Sequence, residues 1–143
     1  MRMFFKLLFL LIFLTLIGIQ FIEVERSNPP VTAELRASPS VKNVFKTSCY
    51  DCHSNETKWP FYSKIAPVSF LIVGHVEDGR SKLNFSVWES YGINQKIELK
   101  EEIWKEVSED EMPMKMYTFL HPNSVLTLEQ KATIKKWAEG RLQ

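Results

Sequence analysis

The sequence predicts an all-α protein with long loops, preceded by one N-terminal membrane-spanning helix. Three observations support this fold class: an apolar run at residues 7–22, four later segments with apolar residues at helical spacing, and prolines between those segments. A chain of 143 residues has the length of a single domain. The 18 Lys and Arg residues nearly balance 17 Asp and Glu residues, and no basic stripe indicates a nucleic acid partner.

Residues 1–22 are interpreted as an uncleaved membrane anchor. The run at 7–22 carries no charge, and Arg2 and Lys6 precede it. Counted from Met3, with the Lys6 ammonium reaching the interface, the segment is long enough to span a bilayer. It lacks the small residues of a signal-peptidase site, so cleavage is only the alternative. The short basic tail predicts a cytoplasmic N-terminus, with the remainder exported to the periplasmic side of the inner membrane.

The segment 23–37 is predicted to be an extended linker, because Pro29 and Pro30 cannot continue a helix. The domain is then expected to cover residues 38–143.

Four helices are predicted in this domain, at about 40–49, 67–79, 94–108 and 127–140. Gly79 is expected to end the second helix. Thr127 and Gln130 form a capping box at the start of the last helix. Loops as long as those between these helices indicate that a large apolar cofactor helps to fill the core.

The segment SCYDCHSNETKWPFY, residues 48–62, holds both cysteines of the chain, Cys49 and Cys52, and then His53. Cys-x-x-Cys-His is the attachment signature of c-type haem. Each thiol forms a thioether bond with one vinyl group, and the adjacent histidine is the proximal ligand of the iron. The motif therefore predicts one covalent haem c per chain, attached by dedicated haem-attachment machinery.

Three other interpretations of Cys49, Cys52 and His53 are weaker. A zinc site needs four ligands, commonly from two clustered pairs, and only three such residues cluster here. A thioredoxin-like redox pair needs a βαβ context that the sequence lacks. A structural disulfide between the two cysteines, with an incidental histidine, is the third alternative.

A sixth iron ligand must come from another segment or be water. Met112 is favoured, because Pro113 stiffens the loop that carries it before the capped C-terminal helix. His75 is the main alternative, since it lies on an apolar face of the second predicted helix. The remaining candidates are Met114, Met116 and His121.

Two groups of polar residues have possible secondary roles. The guanidinium of Arg80 matches a haem propionate, although ordinary loop structure explains it as well. The other candidates for propionate contact are Lys82, Asn84 and Trp88. An acidic run is either a solvated helix end or a docking patch for a basic redox partner; it comprises Glu106, Glu109, Asp110 and Glu111.

The segments CYDCH, EMPM and LTLEQKATIKKWAEG together resemble the class I cytochromes c, which implies a small cytochrome c-like haem domain. A closer resemblance is to the haem-binding-domain proteins of bacteria, which are exported and carry one anchor. That resemblance rests on NPPV, CYDCHSNETKWPFYSKIAP, HVEDGRSKLNFSVW, EMPMKMYTFLHPNSVLT and the last tryptophan. It implies haem attachment at Cys49 and Cys52 and proximal ligation by His53, and it leaves the sixth ligand and the redox partners open.

The expected function is that of a membrane-anchored, exported c-type haem protein that transfers single electrons and is not an enzyme. The first alternative is a haem-based peroxidase-like enzyme or sensor, whose sixth coordination position would be open. The second alternative is a module without haem, held by a Cys49–Cys52 disulfide.

Overall fold

The computed structural model describes residues 1–142, and these contain helices and turns but no strand. The predicted all-α class with one N-terminal apolar helix is confirmed. The helices are α1 (Arg2–Gly18), α2 (Pro39–Ser48), α3 (Tyr50–His53), α4 (Val68–Lys82), α5 (Ile93–Ser108), α6 (Lys115–Leu120) and α7 (Leu128–Ala138). Short 3-10 turns occur at Ile19–Phe21, Phe61–Lys64, Phe85–Ser90 and Pro122–Ser124.

The helical stretch Arg2–Phe21 is strongly apolar, and none of its residues is buried. Its mean hydropathy is 2.3, and none of its most apolar window is buried. By length and composition it is able to cross a membrane. A helix that is apolar on every face and has no buried residue leaves its apolar surface open to the surroundings, which suits a lipid environment better than water.

The predicted C-terminal end of the second helix is wrong. Gly79 was expected to stop it, but α4 continues to Lys82, and Gly79 lies in its last full turn. A glycine inside a helix lowers helix propensity, and its presence there calls for a packing reason. That reason is found at the functional site.

The core lies where α2, α5 and α7 meet the turn at 85–90, and it is dominated by aromatic rings. Phe45 and Phe85 are fully buried, with ring centroids 4.6 Å apart. Trp137 of α7 packs edge-on against Phe45 at 4.9 Å, and Tyr50 stacks on Phe85 at 5.2 Å. Aromatic pairs in such arrangements stabilise a fold beyond the area they bury.

The predicted capping box at the start of α7 is confirmed. The backbone N–H of Gln130 donates to Thr127 Oγ1 at 3.2 Å, and the Thr127 N–H donates to Gln130 Oε1 at 2.8 Å. These bonds satisfy two donors that the first turn of a helix otherwise leaves free.

Residues 23–37 run without helix or strand, and the second half of this segment packs against the domain. Leu35 is buried in the core, and its N–H donates to the carbonyl of Phe85 at 2.9 Å. The N–H of Ala33 donates to the carbonyl of Ser86 at 3.0 Å. The segment therefore contributes a side chain and backbone hydrogen bonds to the fold, a contribution that its proline-rich sequence did not indicate.

Candidate functional site

Cys49, Cys52 and His53 lie on one helical turn that directly follows α2. The N–H of Cys49 donates to Phe45 O at 2.8 Å, and the N–H of His53 donates to Cys49 O at 2.9 Å. Residues three apart on such a turn share a face, so the two thiols lie on the same side. Tyr50 is buried in the aromatic core, which holds the turn in place.

Gly79 lets α4 pack against the backbone of this turn. A Cβ atom added at Gly79 would lie 2.6 Å from the carbonyl oxygen of Cys52, a contact too short for any other residue. The other glycine of the same helix, Gly74, has nothing within 4 Å of such a Cβ. Gly79 is thus a packing residue of the site. The sequence analysis missed this role because it interpreted Gly79 as the end of a helix.

The imidazole of His53 is held by two backbone carbonyls at the end of α4. Its Nδ1 lies 3.0 Å from Gly79 O and 3.2 Å from Leu83 O. Both partners are acceptors, so Nδ1 carries the proton, and the lone pair is on Nε2. Burial lowers the pKa of His53 and outweighs the opposing effect of the two carbonyls. The result is a neutral imidazole with one oriented nitrogen free, the arrangement found in metal-bound histidines.

Three adjoining cavities surround α3. The first has about 710 Å³ of empty space, counted, as for the other two, together with its opening to solvent, and it is lined by Cys49, Cys52 and His53. The second, of about 800 Å³, shares Cys49 and His53 with the first and extends along α5. The third, of about 930 Å³, shares Cys52 with the first and lies between α4 and α6. The first two cavities together are called the cleft below.

The candidate sixth ligands are distributed unequally among these cavities. Met112 lines both the first and the second, whereas His75 and Met114 line the first and the third. Met116 and His121 line only the third. The Nε2 of His121 lies 3.2 Å from the hydroxyl of Tyr62. The structure therefore brings His75, Met112 and Met114 into one cavity with His53, and leaves Met116 and His121 outside it.

A tight turn after α5 delivers Met112 to the cleft. The N–H groups of Glu111 and Met112 both donate to Glu106 O, at 3.0 and 3.2 Å. Asp110 adopts a left-handed conformation with φ of 59°. Helices commonly end in this way, with one left-handed residue and backbone bonds returning to the last turn. The Asp110 carboxylate also accepts a hydrogen bond from the ammonium of Lys131 on α7.

Both thiols are free and protonated. Burial raises the pKa of Cys49 to about 12, with a smaller contribution from Cys52. Burial likewise raises the pKa of Cys52 to about 11, with a further contribution from Asp51. The structure contains no disulfide between Cys49 and Cys52, which was the third interpretation. Within residues 1–142, no three His, Cys, Asp or Glu side chains converge as a zinc ion requires, and no strand offers a thioredoxin-like context.

Comparison with known proteins identifies the kind of domain that carries this site. The chain matches the haem-binding domain family over residues 14–140, a range that includes every residue of the cleft. The chain belongs to the haem-binding domain family. This haem-binding domain therefore binds haem, as the resemblance in its motifs implied. No curated protein and no solved structure shows significant similarity to it.

The residues of the cleft fit a haem group. Cys49, His53 and Met112 offer a thiol, a neutral imidazole and a thioether, which are groups that attach haem or bind its iron. The second cavity adds an apolar wall on which a porphyrin face can pack. That wall consists of Leu99, Ile103, Val107 and Pro113.

Of the four residues considered as candidates for propionate contact, only Lys82 lines the cleft. Arg80 is engaged elsewhere, because its three nitrogens donate to the linker and to the loop after the motif. The acceptors are Ser27 O, Asn28 Oδ1, Ser54 O and Thr57 Oγ1, at 2.8 to 3.0 Å. Asn84 bonds to Asn55 within the domain interior, and Trp88 is buried in the core. Arg80, Asn84 and Trp88 are thus engaged within the protein, as the alternative of ordinary loop structure describes.

The acidic run divides between cleft and surface in this haem-binding domain. Glu106 lines the second cavity together with Glu102. Glu109 and Glu111 are exposed, and Asp110 is paired with Lys131. The docking role of this run stays a prediction.

One further residue of the cleft was missed by sequence reasoning. Tyr117 of α6 lines the first and third cavities, and its hydroxyl donates to Asp51 Oδ2 at 2.7 Å. Asp51 also accepts the N–H of Lys58 at 3.1 Å, so it orders the loop after the motif. The two residues are 66 positions apart, and no local pattern signals their contact.

Proposed function

We propose that this haem-binding domain is a membrane-anchored, exported c-type haem protein that carries single electrons. The observation that carries the proposal is the state of His53, whose Nδ1–H is held by Gly79 O and Leu83 O, so that Nε2 is left for a metal. Haem, when bound, supplies a one-electron couple whose potential depends on the axial ligands and their surroundings.

The proposed roles follow from the donors that line the cleft. Cys49 and Cys52 would hold the haem covalently, each through one thioether; addition of an S–H across a vinyl double bond would give one C–S and one C–H bond, without a leaving group. His53 would hold the iron as the proximal ligand, and Met112 would be the sixth ligand. The protonated, buried thiols are poor nucleophiles, which fits a need for dedicated attachment machinery.

Met112 is preferred to His75 as the sixth ligand because the two residues belong to different walls of the cleft. His75 lies on α4, one turn before Gly79, and α4 is the helix whose carbonyls hold the Nδ1 side of His53. We expect the second ligand to come from a segment other than α4, because α4 already holds the ring of His53. Met112 comes from the turn after α5, and it lines both halves of the cleft.

The proposed location is the inner membrane, with α1 as a single-pass anchor and the haem-binding domain on the periplasmic side. Its support is the apolar, unburied stretch Arg2–Phe21, with Arg2 and Lys6 at its N-terminal end. On the exported side the thiols would meet oxidising conditions, from which thioether formation protects them.

Covalent attachment is tested by denaturing the full chain after expression with haem-attachment machinery, and recording a pyridine haemochrome spectrum. Haem is expected to stay with the polypeptide in the wild type and to be extracted by acid acetone from Cys49→Ala/Cys52→Ala. The single variants, each with one thioether, are the matched controls. Extraction of haem from the wild type would contradict covalent attachment.

The sixth ligand is tested with Met112→Ala, His75→Ala and Met114→Ala. The oxidised wild type is expected to show the long-wavelength absorption band of methionine–iron ligation. Met112→Ala should lose this band and have a lower reduction potential, because a thioether ligand raises the potential. His75→Ala and Met114→Ala should keep both properties. Loss of the band in Met114→Ala alone would move the assignment to Met114.

A second candidate function, a peroxidase-like enzyme or sensor, is favoured by the position of His75 in the first cavity, where it would serve as a distal acid–base group. This function requires an open sixth position. Rapid binding of carbon monoxide or cyanide by the wild type, at the same rate as by Met112→Ala, would support it over the electron carrier.

A further inference from the structure

Exposed apolar side chains in the domain are concentrated on one side. Of the twelve large ones after residue 30 in the described part of the chain, seven lie in two short segments, 61–71 and 116–120. Exposed apolar residues scattered singly are normal, whereas a contiguous group marks an interaction surface.

The two segments border the same cavity. The third cavity is lined by Val68 and Leu71 of α4 and by Met116 and Leu120 of α6. The side chains from α4 are 39% and 55% exposed, and those from α6 are 59% and 52% exposed. Phe61 and Ile65, on the turn before α4, extend this surface with exposures of 78% and 49%. These six residues are called the apolar rim below.

The apolar rim is bonded directly to the end of the predicted membrane anchor. The side chain of Gln20 makes two hydrogen bonds with the backbone of Ala66, donating from Nε2 to its carbonyl at 2.9 Å and accepting its N–H at 3.1 Å. Arg26 donates to Ser63 O at 3.3 Å. Both contacts reach the turn that presents Phe61 and Ile65, so this surface is continuous with the helix end that would leave the bilayer.

The residues around the apolar rim match the composition of a membrane interface. Tyr62, which is half-buried, directly follows Phe61, and aromatic rings of this kind are enriched at the headgroup level of bilayers. Lys58 and Lys64 flank them with exposed ammonium groups, which can reach lipid phosphates.

We propose that the apolar rim lies in the headgroup region of the lipid bilayer beside α1, so that the haem-binding domain is held at the membrane in one orientation. This inference rests on the membrane anchoring proposed above. The third cavity, which shares His75 and Met114 with the first, then faces the lipid surface. The second cavity extends along α5 and would face away from the lipid, so water-soluble partners would reach the cleft from that side.

The test uses the full chain with haem, reconstituted into phosphatidylcholine vesicles. The photo-crosslinking residue p-benzoylphenylalanine is placed singly at Phe61, Leu71, Ile93 or Leu128. Ile93 and Leu128 are matched controls, because they are 79% and 86% exposed but line none of the three cavities. After illumination, lipid adducts are quantified by mass spectrometry, and carbonate extraction reports whether the chain is an integral membrane protein.

Severalfold more lipid adduct at Phe61 and Leu71 than at Ile93 and Leu128 is the expected result. Equal yields at all four positions, in a chain that resists carbonate, would overturn the orientation and leave the anchoring intact. Protein–protein adducts at Phe61 in place of lipid adducts would also overturn it, in favour of a protein partner. Release of the chain by carbonate would overturn both the anchoring and the inference that rests on it.

Discussion

The two walls of the cleft are held in place in different ways. In the wall that carries His53, helix α4 packs directly against the backbone of the Cys49–His53 turn. The wall that carries Met112 is held by a tight turn and a surface ion pair. In the His53 wall, α4 approaches Cys52 so closely that only glycine fits at position 79. In the Met112 wall, Glu106 O accepts two backbone bonds, and an exposed Asp110 pairs with Lys131. The contact at Gly79 is buried and steric, whereas the ion pair of Asp110 is open to solvent.

This difference indicates which part of the site is preorganised. The imidazole of His53 is oriented before any metal binds, because its Nδ1 and the helix behind it are already in place. Met112 lies on a segment whose supporting contacts are individually weak, so ligand binding there has more freedom to adjust. Substitutions in the His53 wall are accordingly expected to cost more stability than those in the Met112 wall.

The largest effect is expected from Gly79→Ala. The added methyl group meets a carbonyl oxygen that belongs to the backbone, and overpacking of this kind costs about 3 kcal/mol. Gly74→Ala is the control in the same helix; it meets no neighbour and should stabilise the protein by roughly 1 kcal/mol. Urea unfolding measures both. Equal effects at the two glycines would show that α4 does not press against the motif.

A smaller loss is expected from Arg80→Ala, on the outer side of the His53 wall. The guanidinium connects the linker to the loop after the motif through four hydrogen bonds, and losing them should cost about 2 kcal/mol. Proteolysis within residues 23–37 should accelerate as well. Arg141→Ala, at an exposed pair with Glu139, is the control and should change neither property. Unchanged proteolysis in Arg80→Ala would show that the linker is held by other contacts.

The Met112 wall is probed by three substitutions at Asp110. Because φ is 59°, Asp110→Gly relieves the backbone and Asp110→Asn is compatible with it, whereas Asp110→Ala is strained. The glycine variant should therefore have the highest melting temperature of the three, the asparagine variant the next and the alanine variant the lowest. The alanine variant should melt a few degrees below the wild type. Comparing Asp110→Asn with the wild type isolates the ion pair. An alanine variant as stable as the glycine variant would argue against the left-handed turn.

The smallest effect concerns Glu89, which connects the linker to α5. Burial raises the pKa of Glu89, but hydrogen bonds from Lys96 and from the Arg36 N–H lower it more, to a value below the ordinary 4.5. A carboxyl with a depressed pKa stabilises the fold above its unfolded pKa, and this contribution is lost as the pH falls through its folded pKa. Glu89→Gln should cost roughly 0.5 kcal/mol at neutral pH. The difference in urea midpoint should vanish in acid; a difference that persists there would assign the effect to packing.

Much of the fold followed from local patterns. The apolar run of α1, the buried face of α2 and the capping box at Thr127 and Gln130 depend on residues a few positions apart, so periodicity and capping rules were sufficient. The role of Gly79 was misread because its reason lies 27 positions away, in the carbonyl of Cys52. The packing of Leu35 into the core was likewise unpredictable from a segment without periodicity.

The sequence by itself determined the chemistry of one half of the site. Cys49, Cys52 and His53 are local in the chain, and one helical turn is enough to bring them together. Only the tertiary structure decided which nitrogen of His53 is free and which residues share its cavity, because these depend on carbonyls of α4 and on side chains from the turn after α5 and from α6. Contacts between distant segments arise from packing that no short sequence pattern encodes.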